Sequence, residues 1–108
     1  MSWEPLLQRN NVAGVLSFDP GDPRVSFWAD EAAPTAHAHL DVRELLEDGG
    51  EPYSIIMECV HILESGQTLS LHALMQPRPL MAQLARMGYG LDVRHVGTDH
   101  WILDIAAP

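Results

Sequence analysis

LDVRELLEDGGEPYSIIMECVHILESG, residues 40–66, carries in close succession the signals of a strand, a chain reversal and a helix. Leu40 and Val42 alternate with Asp41 and Arg43, which puts the two apolar side chains on one face of a strand. Glu44–Gly50 is acidic and ends in Gly49-Gly50, so the strand gives way to a loop that reverses the chain. Pro52 then suits a first helical turn, and Glu51 suits the positive end of a helix. Ile55, Ile56, Cys59, Val60 and Leu63 recur at helical spacing as one apolar stripe, and Ser65-Gly66 ends it.

Downstream, Gln67–Ala73 alternates again, with Leu69 and Leu71 inward and Thr68, Ser70 and His72 outward. Met75–Pro79 is a rigid crossing into a second helix whose buried face is Leu80, Met81, Leu84 and Met87, with Gly88 as its stop. Leu91–Val96 and His100–Ile105 read as strands around a Gly97-Thr98-Asp99 turn. The order is β-α-β-α-β-β. Two helices cannot cover both faces of a mixed four-stranded sheet, so an α+β two-layer sandwich is expected, with both helices on one face. The other face would carry Thr68, Ser70, His72, His100, Ile102 and Asp104.

Residues 1–36 differ in texture and are expected to form an N-terminal arm and linker before a domain at 37–108. Val12–Phe18 and Arg24–Trp28 are β-prone and flank Asp19-Pro20-Gly21-Asp22-Pro23, the pattern of a hairpin. Trp3, Phe18, Phe27 and Trp28 are costly to leave in water, so the arm is expected to dock on the domain or on a second subunit as a homodimer contact. Asp30–Ala38 reads as a linker.

The chain has 108 residues, enough for one core that buries roughly two-thirds of the unfolded surface. One cysteine cannot form an internal disulfide, and no Cys/His spacing of a structural zinc site is present. Glu4, Pro5 and Arg9 interrupt any apolar start, and no apolar run approaches the about 20 residues of a membrane span. A soluble cytoplasmic protein is the expectation. The formal net charge of −9 argues against nucleic acid and against anionic membrane surfaces as partners. All six basic residues are arginine, so lysine-based nucleophilic or Schiff-base chemistry is absent.

Taken together, LDVREL, GGEP, SGQTLSL, PRPLMAQLARMGYG and WILDI resemble, in order and spacing, the domain-of-unknown-function family 2249 over about residues 39–105. The resemblance implies kinship with the TusA/SirA-like sulfur carriers and their two-layer sandwich. In those carriers a cysteine followed by Pro-Glu-Pro opens the first helix, where the helix dipole favours a thiolate. The corresponding residues here are Gly49 and then Gly50-Glu51-Pro52, so the carrier cysteine is missing. Cys59 lies two turns along on the apolar stripe and reads as an inert core thiol.

Four groups of side chains remain as candidates for function. Arg43 at a strand end and Arg78 at a helix start, with Gly49, Gly50 and Glu51, would hold a small anion or a partner's carboxylate. A surface salt bridge of Arg43 with Glu44, Glu47 or Asp48 is the competing expectation. His37 and His39 would share one side of an extended segment, and His72 or His100 would share the sheet face. Two histidines with no third ligand fixed by spacing are a weak metal signal, so ordinary surface histidines are expected and no cofactor is assigned. The acidic residues around Gly49-Gly50 read as a solvated surface or as a contact for a basic partner. The expected function is a non-catalytic interaction or small-ligand-binding module. Sulfur or redox transfer through Cys59, and metal binding by histidine, are the alternatives.

Overall fold

The computed structural model describes residues 14–108, so Trp3 and the start of the Val12–Phe18 run lie outside the described residues. In chain order the elements are β1 (Ser26–Ala29), β2 (His37–Asp41), α1 (Arg43–Glu47), α2 (Tyr53–His61), β3 (Thr68–Ala73), α3 (Arg78–Arg86), β4 (Gly90–Gly97) and β5 (His100–Ala106). The sheet has five strands in the order β1-β2-β3-β5-β4. Only the β2–β3 pair is parallel, which is why α1 and α2 fill the crossover between them. The other three pairings are antiparallel.

The alternation read from the sequence sets the core. Leu40, Leu69, Leu71, Leu103 and Ile105 point from one sheet face into a cluster with Ile56, Met57, Cys59 and Val60 of α2 and Leu84 of α3. Cys59, Val60 and Leu84 are wholly buried, while Met87, expected on the inner face of α3, is exposed.

Three expectations change. The sheet has five strands rather than four because the arm contributes one. Residues 14–18, the described part of the Val12–Phe18 run, are not a strand and do not pair with Arg24–Trp28 as a hairpin; β1 instead pairs directly with β2. The described part of the arm packs on its own domain: Leu16 and Val25 are buried in the main cluster, and Phe18 meets Phe27 edge-on at 5.7 Å. Burial of apolar surface outweighs the local tendency of a Pro-Gly-rich turn to close on itself. Second, the stretch expected to be a linker already holds the start of β2, at His37.

Third, the described residues hold three helices. The strand ends at Asp41, whose Oδ1 accepts the Arg43 N–H at 3.0 Å, and Arg43 opens α1 rather than closing a strand. Leu45 is the buried residue of this short helix. Gly49 and Gly50 end it. Gly49, at φ +81°, donates its N–H to Leu46 O, and Gly50 donates to Leu45 O. This is the helix stop in which a left-handed residue satisfies the last carbonyls. A Cβ on Gly50 would overlap the Leu45 side chain. The paired glycines are therefore a helix cap and a close approach, both structural.

Candidate functional site: a histidine and carboxylate cluster on the open sheet face

The face of the sheet away from the helices collects the polar alternates of four strands. Register places Trp28 opposite His39, His39 opposite Ser70, and Ser70 opposite Asp104. Asp41 stands opposite His72. Four of the six histidines meet there, with ring centroids of 4.7 Å for His37–His39, 5.3 Å for His39–His72 and 5.1 Å for His72–His100. Trp28 stacks flat on His39 at 5.0 Å.

Asp30 completes the cluster from just beyond β1. Its N–H donates to His37 O at 2.8 Å, and its Oδ2 accepts the Ala32 N–H at 3.0 Å. The backbone thus aims Oδ1 at the histidines. Oδ1 lies 2.9 Å from His39 Nε2 and 3.8 Å from His37 Nδ1. The hydrogen bond with His39 holds the Asp30 carboxyl below the usual carboxylate range.

Two lines of hydrogen bonds run from this point across the sheet. One joins His39 Nδ1 to His72 Nε2 at 3.1 Å, and His72 Nδ1 to His100 Nε2 at 2.8 Å. Burial pushes His72 down to about 4, with Asp41 opposing and His39 and His100 adding to the fall, so its imidazole is neutral at pH 7. His100 is lowered too, first by burial and then by Arg43. The other line joins His37 Nε2 to Ser70 Oγ at 2.6 Å, Ser70 Oγ to Asp104 Oδ1 at 2.6 Å, and Asp104 to Arg94. Burial works against the Asp104 carboxylate, but the bonds from Arg94 and Ser70 win and hold it low. No buried side-chain polar atom among the described residues lacks a partner.

The anion-site candidates are arranged differently. Arg43 closes a fork on Asp41, with Nε to Oδ1 at 3.0 Å and NH2 to Oδ2 at 2.7 Å. It lines an open cleft of about 780 Å³ with Arg24, but Glu44, Glu47, Asp48 and Asp99 line the same cleft, and Arg78 does not. The backbone donors of Gly49 and Gly50 are spent on α1, and Glu51 Oε1 accepts the Tyr53 N–H at the start of α2. Arg78 is exposed at the first position of α3. Cys59 is fully buried, and burial pushes its thiol up to about 12. His95 stacks on Trp101 at 4.2 Å, away from the cluster.

The H-x-H spacing points to two of the cluster's members, and alternation places His72 and His100 on the same face. Asp30 gives no such signal, because it sits in a stretch without periodicity and its position depends on the β1–β2 pairing. Among the described residues no helix is long and apolar enough to cross a membrane. Comparisons with curated proteins and with solved structures find no match. Residues 39–107 match the model of the family described as uncharacterized conserved protein (DUF2249), and the chain belongs to that family.

Proposed function

We propose that the protein binds a divalent first-row transition-metal ion on its open sheet face, through Asp30, His37 and His39. One observation carries this reading: a carboxylate oxygen and two imidazole nitrogens from these residues lie within 4.8 Å of one another. Two imidazoles and one carboxylate suit zinc, iron, cobalt or nickel and leave coordination positions open to water or a ligand. At Zn–N distances of about 2.0–2.1 Å, two ligand atoms of a tetrahedral ion sit about 3.4 Å apart, so atoms now within 4.8 Å of one another must close by at most about 1.4 Å, shared between two side chains. The ion would replace the hydrogen now shared between His39 Nε2 and Asp30 Oδ1. Titration of the metal-free protein with Co(II) tests this. Visible absorption that saturates, and that vanishes in the His37→Ala/His39→Ala double variant, supports it; a spectrum no different from free Co(II) rejects it.

A second reading treats the domain as a cytoplasmic, non-catalytic interaction module related to the TusA-like carriers. It is favoured by an apolar cleft of about 470 Å³ on the helical side, lined by Leu46, Pro52, Tyr53, Leu80 and the exposed Met75. Sulfur transfer is the weaker form of this reading, since the positive φ of Gly49 disfavours any side chain at the carrier position and Cys59 is buried.

A further inference from the structure

Resting on the metal reading, we infer that Ser70 is a positioning residue that presets His37 to offer Nδ1 to the ion. Ser70 is wholly buried, and its hydroxyl has one hydrogen to give and two neighbours at 2.6 Å. One neighbour is Asp104, which Arg94 grips with Nε to Oδ2 at 3.0 Å and NH2 to Oδ1 at 3.2 Å. A carboxylate gripped in this way only accepts, so it takes the serine hydrogen. The Ser70 oxygen must then accept from His37 Nε2. In the opposite tautomer two lone pairs would face each other at hydrogen-bonding distance.

A neutral imidazole with its hydrogen on Nε2 carries its lone pair on Nδ1. That is the atom which faces Asp30 Oδ1 at 3.8 Å. The line Arg94–Asp104–Ser70 therefore fixes both the tautomer and the ring orientation of a ligand, as outer partners of metal-bound histidines do. His39 is not preset in this way, because its Nε2 faces Asp30 and gives up a hydrogen bond when an ion binds. The site has one ligand ready and one that must rearrange.

The test uses the full chain, ¹⁵N-labelled and metal-free at about pH 8, above the ordinary histidine range. Two-bond ¹⁵N–¹H correlation reads the His37 tautomer, and calorimetry reads Zn²⁺ binding by the wild type, Ser70→Ala and Ser70→Thr. Expected are the Nε2–H tautomer in the wild type, a loss of about tenfold to a hundredfold in Zn²⁺ affinity for Ser70→Ala, and recovery of most of it in Ser70→Thr. An Nδ1–H tautomer in the wild type with Zn²⁺ binding intact overturns the inference and leaves the metal reading standing. Unchanged affinity in a folded Ser70→Ala protein overturns it too. If the wild type shows the Nε2–H tautomer but binds no Zn²⁺, the metal reading itself falls and the positioning role with it. The wild-type spectrum needs no substitution, so a variant that fails to fold leaves the tautomer test intact.

Discussion

Replacing Gly49 by alanine asks whether this position is a helix cap or the vacant place of a reactive residue. Gly49 has φ +81°, and a Cβ added there would meet no heavy atom within 4 Å, so any cost is conformational and not a clash. Forcing an L-residue into the left-handed region costs roughly 1–2 kcal/mol. At about 4–8 °C per kcal/mol for a domain of this size, the midpoint of thermal unfolding should fall by roughly 4–16 °C. Asparagine tolerates this conformation better than alanine, so Gly49→Asn should lose less. Urea and thermal unfolding of the two variants and the wild type measure this. The sign is decisive: at an ordinary negative φ, glycine to alanine stabilises by about 0.4–1 kcal/mol through the unfolded chain. A neutral or stabilised Gly49→Ala protein would refute the cap assignment, and a carrier cysteine would then no longer be disfavoured at this position.

Two further outcomes follow from the buried groups. Cys59 should label with a thiol reagent at neutral pH only on the unfolding timescale, because a thiol pushed up to about 12 holds about a thousandfold less thiolate than an ordinary one; rapid stoichiometric labelling of the native protein would restore the sulfur-transfer reading. Asp104 has a depressed folded pKa, so its stabilising effect is complete above the unfolded value of about 3.9 and is lost as pH falls through the folded value. Asp104→Asn should therefore lower the urea midpoint at pH 7, and its difference from the wild type should shrink below about pH 4; a difference that stays constant to pH 2 would sink this account.

The sandwich was legible because its strands and helices carry opposite periodicities. Leu69 and Leu71 against Ser70 and His72, or Leu103 and Ile105 against His100 and Asp104, state which face meets the helices. What periodicity could not state was partnership between distant segments. β1 is four residues long, and only its pairing with His37–Asp41 shows that the arm belongs to the sheet. Asp30 inherits its place from that pairing, so the carboxylate of the cluster was invisible while its histidines were not. Arg43 forms the intradomain ion pair that competed with the anion reading, but with a different acid: Asp41 caps the turn after the strand and forks the guanidinium, where the sequence pointed to Glu44, Glu47 or Asp48.

The most direct test of the metal reading is the stoichiometry and affinity of Zn²⁺ binding to the metal-free chain, by calorimetry, beside Asp30→Ala and His37→Ala/His39→Ala. The arrangement of Asp30, His37 and His39 predicts one ion per chain, weakened in the first variant and lost in the second, with both still folded. Absent binding, or an affinity that the double histidine variant leaves unchanged, would contradict it.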